Sequence, residues 1–145
     1  MYKNTLNFAE IIQIDGAFEE IFVTAGNKTL GHTTLGRCFA HILAGLNWKG
    51  ELWHLTKALP HLSDDFDLTH LFNSLVHLGY KAESIKLNSN HLNEQLFPCL
   101  FISNKNKEKE IPYVILGMTG KKLKVYDSTT NTVTLIDKGL LSEGI

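Results

Sequence analysis

Apolar residues in the first half of the chain recur at helical spacing. One pattern predicts a helix over residues 34–44, capped by Thr33 or Thr34, with its apolar positions at Leu35, Phe39, Ile42 and Leu43. Residues 9–23 mix apolar and acidic side chains at spacings that allow a second amphipathic helix despite Gly16.

Two more helices are predicted before the pattern changes. The segment ELWHLTKALP favours a short helix that stops at its proline. The segment SDDFDLTHLFNSLVHLGY predicts a helix that starts on a Ser63 or Asp64 cap and ends at Gly79. Asp65 and Asp67 would then lie in its first turn, where carboxylates interact favourably with the helix dipole.

From Tyr80 onward the apolar pattern is that of β-strands. Alternating or continuous apolar runs of strand length are separated by charged or glycine-containing segments. They predict five antiparallel strands, at residues 81–87, 98–102, 113–116, 123–126 and 132–136. Helices followed by antiparallel strands indicate an α+β fold.

Composition narrows the class of protein. The 145 residues are 43% hydrophobic and 20% charged, which suits one domain with a substantial core. The formal net charge is −1, and the lysines of residues 105–109 are interrupted by Asn106 and Glu108. Because a nucleic-acid interface needs a basic surface, nucleic acid is not a predicted partner.

Cysteine use and hydropathy indicate the compartment. Only two cysteines occur, Cys38 and Cys99, and the N-terminus lacks the uninterrupted apolar region of a signal peptide. The longest apolar runs are far shorter than the roughly 20 residues that span a bilayer. These features predict a domain in the reducing cytoplasm with no membrane-spanning segment.

Cys38 and His41 form an i, i+3 pair on the helix predicted over residues 34–44. They could be two metal ligands or a nucleophile with its base. A zinc site needs about four ligands, and no second Cys/His pair has matching spacing. A reactive cysteine gains most at a helix N-terminus, whereas Cys38 lies about one turn inside, so a core cysteine is the preferred interpretation.

Four further histidines form two pairs with a spacing of seven, His54 with His61 and His70 with His77. A proline interrupts the helix of the first pair. The second pair would lie about 10 Å apart along a helix axis, which is too far to share a metal. We predict surface or half-buried histidines, and neither a metal nor any other cofactor.

Asp127 ends a predicted strand and is followed by the polar segment STTN. Taken alone, it is most simply an aspartate that starts a turn. A catalytic or formerly catalytic role needs support from a wider pattern.

Four segments together provide such a pattern. In order they are LGRCFAHILAGLNWKGELWHLTKALP, DLTHLFNSLVHLGYKAESIKL, PCLFIS and PYVILGMTGKKLKVYDSTTNTVTLID. Their order and spacing over about residues 30–137 resemble the bacteriocin-processing, double-glycine cysteine peptidase domain found at the N-terminus of many ATP-binding-cassette exporters. The resemblance implies a papain-like α+β fold in which an antiparallel sheet packs against N-terminal helices.

The catalytic positions of that family carry other residues here. The nucleophile position falls on Thr34, or one residue to either side on Thr33 or Leu35, where active members have a cysteine at a helix start. The position of the catalytic histidine falls on Pro112, and only Asp127 matches the family. The segment NKTLGHTTLG holds no glutamine for an oxyanion hole. The resemblance therefore implies a domain that has lost catalysis.

Inactive domains of this kind are found in type I secretion exporters of large RTX proteins and adhesins. The resemblance implies a domain at the cytoplasmic face of the bacterial inner membrane that binds or positions an unfolded protein for export. Its partners would be that substrate and the transmembrane and nucleotide-binding domains of the same transporter. The chain's end just past the last predicted strand suits a domain of such a transporter, with residues 1–30 as a helical extension and 31–145 as the peptidase-like part.

An unfolded substrate would be held by a groove or sheet edge with aromatic anchors. Tyr80, Tyr113 and Tyr126 are the candidates, although each could simply pack its ring in the sheet. Two alternatives remain, an active cysteine peptidase that uses Cys38 and a stand-alone domain that binds a folded protein.

Overall fold

Among the described residues, helices predominate in the first half of the chain and antiparallel strands in the second half, which confirms the α+β class. The structure is a computed structural model, and it describes residues 5–26, 30–59, 66–81, 97–102 and 112–137. The chain divides into two compact units, Met1–Glu83 and Ser84–Ile145. None of the helices in the described ranges is long and apolar enough to cross a membrane.

The first unit, called here the helical unit, contains five α-helices and two short strands in its described part. The strands β1 (Thr5–Asn7) and β2 (Lys49–Glu51) pair antiparallel. The helices are α1 (Phe8–Ile11), α2 (Ala17–Thr24), α3 (Thr34–Gly45), α4 (Leu52–Ala58) and α5 (Leu68–His77), with a 3-10 turn at Leu30–His32.

Helix α3 confirms the prediction for residues 34–44 and ends one residue later. Thr33 is its N-cap, since the Thr33 hydroxyl accepts a hydrogen bond from the Gly36 amide at 2.9 Å. The cap turn is tight, because a side chain at Gly36 would collide with the Leu30 carbonyl oxygen. Glycine at this position therefore lets the 3-10 turn fold against the start of α3.

The single helix predicted over residues 9–23 is wrong. Two helices, α1 and α2, occupy this region, and Gly16 separates them with a left-handed φ of 78°. Glycine adopts this conformation without steric cost, so the chain turns there before α2 begins. Asn7 caps α1 by accepting a hydrogen bond from the Ala9 amide at 3.1 Å.

Helix α5 begins later than the sequence predicted. Its N-cap is Asp67, whose carboxylate accepts a hydrogen bond from the His70 amide at 2.9 Å. The sequence pattern predicts Asp67 in the first turn of the helix, whereas in the structure Asp67 precedes that turn as the N-cap. The other predicted cap and first-turn residues, Ser63, Asp64 and Asp65, lie outside the described residues.

Aromatic rings link the helices of this unit. Phe22 of α2 lies between Phe8 of α1 and Phe39 of α3, with ring centroids 5.9 and 6.1 Å apart. Phe39 in turn packs on Phe66, which precedes α5, at 5.7 Å. Because Phe8 and Phe22 are fully buried, the N-terminal segment is part of the core that surrounds α3.

The second unit, called here the sheet unit, contains a four-stranded antiparallel sheet in its described part. The strand order is β3-β4-β5-β6, formed by Cys99–Ile102, Pro112–Thr119, Lys122–Asp127 and Thr132–Asp137. These strands confirm four of the five predictions to within a few residues. The fifth, at residues 81–87, lies outside the described residues except for Lys81, which is not in a strand.

One face of the sheet carries the core of the sheet unit. Its centre is formed by Tyr113 and Ile115 of β4 and by Leu123 and Val125 of β5. Gly120 has a positive φ of 63° in the turn between these strands, and a β-bulge lies between Ile115 and Gly117. In the register of this hairpin, the start of β4 lies beside the end of β5.

Candidate functional site

The start of β4 and the end of β5 lie side by side. Tyr113 pairs with Asp127 across the two strands. The Ser128 hydroxyl, which is fully buried, donates a hydrogen bond to the Pro112 carbonyl oxygen at 2.9 Å. The structure therefore brings together two of the three positions predicted as remnants of a catalytic site, Pro112 and Asp127. Thr34 belongs to the helical unit, and its distance from them stays a prediction.

Pro112 contributes no group that could transfer a proton. Its side chain is an apolar ring and it has no backbone N–H. A general base must present a titratable atom within hydrogen-bond reach of the proton that it removes. At this end of β4 the chain therefore lacks the chemistry that a histidine would supply.

Asp127 uses its carboxylate in a local turn. The Asp127 Oδ1 atom accepts hydrogen bonds from the Thr129 amide at 2.9 Å and from the Thr129 hydroxyl at 2.6 Å. This arrangement is an aspartate that starts a turn, the simpler of the two roles that the sequence indicated. Burial, and to a lesser extent the negative charge of Asp127, raise the pKa of Tyr113.

Thr34 is the first residue of α3 and is exposed, so the proposed nucleophile position does fall at a helix start. The hydroxyl of the neighbouring Thr33 is already engaged, because it also donates a hydrogen bond to the Leu30 carbonyl oxygen at 2.9 Å. Leu35 is half-buried. None of these three side chains is a thiol, so the start of α3 offers at best a threonine hydroxyl.

Cys38 is a core residue, as the sequence predicted. It has no exposed surface, and His41, one turn later on α3, is 6% exposed. The His41 Nδ1 atom lies 3.0 Å from the Arg37 carbonyl oxygen and can donate a hydrogen bond to it. Loss of solvation on burial lowers the pKa of His41. A peptidase that used Cys38 would need its thiol to become accessible to substrate.

The other described histidines lie at or near the surface. His54 and His77 are exposed and His70 is half-buried, as predicted, while His61 lies outside the described residues. Within the described ranges, no group of three or more histidine, cysteine, aspartate or glutamate side chains is arranged to hold a metal ion.

Two of the three tyrosines predicted to contact substrate are buried, which corrects their proposed role as exposed anchors. Tyr113 is 4% exposed and Tyr126 has no exposed surface. The Tyr126 hydroxyl donates a hydrogen bond to the Asn131 side-chain oxygen at 2.7 Å. The strand register places the two rings on opposite faces of the sheet, Tyr113 with Ile115 and Val125, and Tyr126 with the fully buried Val114. Tyr80, half-buried at the end of α5, is the only one of the three with substantial accessible surface.

The sequence did not single out β6, which presents apolar side chains at the surface. Val133 is 42% exposed and Leu135 is 59% exposed. Among the described strands β6 is the last of the sheet, so one of its edges has no strand beside it. When apolar and polar residues alternate along a strand, the apolar side chains are usually predicted to lie on a buried face. The sequence signal that could have identified this edge is the absence of charged residues between Asn131 and Asp137.

Comparison of the chain with protein-family models, with curated proteins and with solved structures gave no match.

Proposed function

We propose that this chain is a non-catalytic, peptidase-like domain of a type I secretion ATP-binding-cassette transporter that holds an unfolded protein before export. The observation that carries the binding role is the outer edge of β6. Six residues of extended backbone there lie beside two exposed apolar side chains, Val133 and Leu135. An extended peptide can pair with such an edge through its main chain, which makes binding tolerant of sequence.

The edge of β6 lacks the features that usually protect a sheet. Natural edge strands commonly carry lysine, proline or a bulge that prevents pairing with another chain. From Thr132 to Ile136 this strand has no charged side chain and no proline, and its pairing with β5 is regular. An unprotected edge is expected where pairing with another chain is part of function.

The lack of catalysis is supported by the residues at the β4–β5 junction. Pro112 stands where the resemblance implies a histidine, and the Asp127 carboxylate is held by Thr129. A strand layout that is retained while its proton-transfer groups are absent favours binding over hydrolysis.

The binding role is tested with a permanently unfolded probe. Reduced and carboxymethylated lysozyme is titrated into the 145-residue chain, and native lysozyme is titrated in parallel. We expect micromolar or weaker binding of the unfolded form only, because ordering a flexible chain offsets much of the contact energy. Equal binding of both forms would contradict the proposal, and specific fragments on a gel after incubation would contradict the lack of catalysis.

A matched pair of double variants locates the binding surface. Val133→Thr with Leu135→Glu removes the two exposed apolar side chains from β6, and the new Glu faces Lys124 across the strands, which favours folding. Ile14→Glu with Val23→Thr makes the same chemical changes at residues of similar exposure, 62% and 46%, in the helical unit. Only the β6 variant should bind the unfolded probe more weakly. Equal loss in both variants would indicate non-specific hydrophobic adsorption.

The transporter context has its own test, the gene sequence beyond the codon of Ile145. Membrane-spanning segments followed by a Walker A motif would support an exporter. A stop codon would favour the alternative of a stand-alone interaction domain, and it would leave the measured binding at β6 unaffected.

A further inference from the structure

An open recess lies between α4 and α5 in the helical unit, with a volume of about 190 Å³. Its walls include Leu59 at the end of α4 and four residues along α5. The polar residues that line it are Lys57, His70, Asn73, Ser74 and His77. No carboxylate is among the described residues that line it. The recess thus brings one lysine, two imidazoles, an amide and a hydroxyl to one place.

Ser74 lines the recess, and its hydroxyl has no hydrogen-bond partner among the described residues. The residue has no exposed surface. Buried hydroxyls are nearly always hydrogen-bonded, since burial without a partner is unfavourable. A helical serine can normally satisfy its hydroxyl through the carbonyl four residues earlier. Ser74 does not do so, and its hydroxyl remains free to donate to a ligand.

The capping of α5 leaves His70 with a donor for the recess. The His70 Nδ1 atom lies 3.3 Å from the Asp67 amide, from which it can accept a hydrogen bond, and 3.3 Å from Asp67 Oδ1. In the capping box Nδ1 accepts the hydrogen bond from the Asp67 amide, so the neutral ring carries its hydrogen on Nε2. In this tautomer Nε2 is a donor.

Lys57 supplies positive charge at the rim. Its ammonium lies 5.1 Å from the centroid of the Trp53 ring, which holds the long side chain on one side of α4. An ammonium group has three N–H donors, so a contact with one aromatic ring leaves donors that can bind a ligand. Among the described residues, the polar lining therefore contains more donors than acceptors and carries a positive charge.

We propose that this recess binds a small oxyanion, the carboxylate or phosphate group of a ligand. The Ser74 hydroxyl and the His70 Nε2–H donate to its oxygens, Asn73 donates through its amide, and Lys57 balances its charge. Such groups supply acceptors for the donors that predominate in the described lining. The site belongs to the helical unit and does not depend on substrate binding at β6.

The test uses the 145-residue chain with inorganic phosphate and with acetate as probes. Thermal unfolding is followed at pH 7.5 with increasing probe, and sodium chloride keeps the ionic strength constant. Either probe should raise the melting temperature, because a ligand that binds only the folded state stabilises it. Amide NMR shifts at Asn73 and Ser74 should move with the same midpoint.

Two buried serines provide the variant and its control. Ser74→Ala should fold and should melt no lower than wild type without probe, since it removes an unpaired hydroxyl from a helix. It should need about tenfold more probe for the same effect. Ser128→Ala removes a buried hydroxyl that is hydrogen-bonded to Pro112. It should lower the melting temperature and leave the response to the probe unchanged.

Each outcome of these experiments either supports or overturns the oxyanion site. A response to both probes that Ser74→Ala weakens supports recognition of oxyanions in general, and a response to phosphate alone supports a phosphate-specific site. The proposal is overturned if neither probe stabilises the chain, if Ser74→Ala responds as wild type does, or if the NMR shifts occur outside α4 and α5.

Discussion

His41 is the residue whose protonation should affect folding most directly. Burial lowers its pKa from the ordinary value of 6.5, so the folded protein resists protonation there. Below about pH 6.5 the unfolded state binds the proton more readily, and the free energy of unfolding should fall as the pH is lowered towards the folded-state pKa. The slope from this single group is at most about 1.4 kcal/mol per pH unit.

The measurement is urea unfolding of wild type and His41→Asn between pH 8 and pH 5. Asparagine does not titrate, and its amide can still donate to the Arg37 carbonyl, so the variant should lose part of the pH slope. The control variant is His77→Asn, which removes a histidine at an exposed position. An unchanged slope in His41→Asn would show that other groups account for the acid sensitivity.

The two cysteines should react slowly with iodoacetamide. Cys38 is fully buried, and burial raises the pKa of Cys99 to about 11. At pH 8 roughly one Cys99 side chain in a thousand would then be a thiolate, against about a quarter of free cysteines. Labelling monitored by mass spectrometry should be much slower than in 6 M urea. Fast labelling of Cys38 in the folded protein, with an apparent pKa below about 8.5, would instead support the cysteine peptidase alternative.

Side-chain chemistry was easier to predict from the sequence than side-chain accessibility. The simplest interpretations of Cys38 and Asp127, a core cysteine and a turn-starting aspartate, agree with the structure. Both interpretations were made from residues within a few positions along the chain. The tyrosine anchors failed because burial of Tyr113 and Tyr126 depends on contacts between distant segments. Ser74 was missed because an unpaired hydroxyl is visible only once the helices have packed.

Helix α3 depends on a close approach at its first turn. An alanine side chain at Gly36 would overlap the Leu30 carbonyl oxygen, which belongs to rigid backbone. Gly36→Ala should therefore lower the free energy of unfolding by about 1–3 kcal/mol, the usual range for overpacking. Gly117→Ala is the control, since nothing lies within 4 Å of its added carbon. Urea unfolding of both variants gives the comparison, and equal stability would show that the turn can relax.

Elements with a regular period were predicted well, and their boundaries less well. The strands of the β4–β5 hairpin and α3 carry clear apolar patterns, and the structure has them within a few residues. The break at Gly16 and the start of α5 at Asp67 depend on backbone conformation instead. A glycine can continue a helix or leave it, and neighbouring aspartates compete for one cap position. Local composition does not decide between these choices.

The sheet has an outer edge at β6 with no other described strand beside it, and the chain carries little net charge. The sequence isoelectric point is about 6.6, so electrostatic repulsion between copies is smallest near that pH. We expect self-association through β6 at high protein concentration at pH 6.6, and less at pH 8.5. Sedimentation velocity at both pH values should show this, and Val133→Thr with Leu135→Glu should suppress it. Ile14→Glu with Val23→Thr, which adds the same charge, should not.

At this scale the sequence predicted the α+β class, because helical and strand patterns occupy separate halves of the chain. It did not predict that residues 5–26 join the core around α3 through Phe8 and Phe22. Their mixed apolar and acidic pattern indicates an amphipathic segment but does not identify the surface that covers it. The surface that covers this segment is formed by ring contacts between residues that are not neighbours in the sequence, such as Phe22 with Phe39.

The distribution of tryptophan makes the helical unit optically separable. The chain has two tryptophans, Trp48 and Trp53, and both lie in Met1–Glu83. Trp48 is 7% exposed and packs on Phe8 at 5.7 Å, whereas Trp53 is 51% exposed. Trp48 should emit at shorter wavelength and resist quenching by acrylamide, while Trp53 should be quenched readily. Loss of the protected emission during urea unfolding would therefore report on the helical unit alone, because neither tryptophan belongs to Ser84–Ile145.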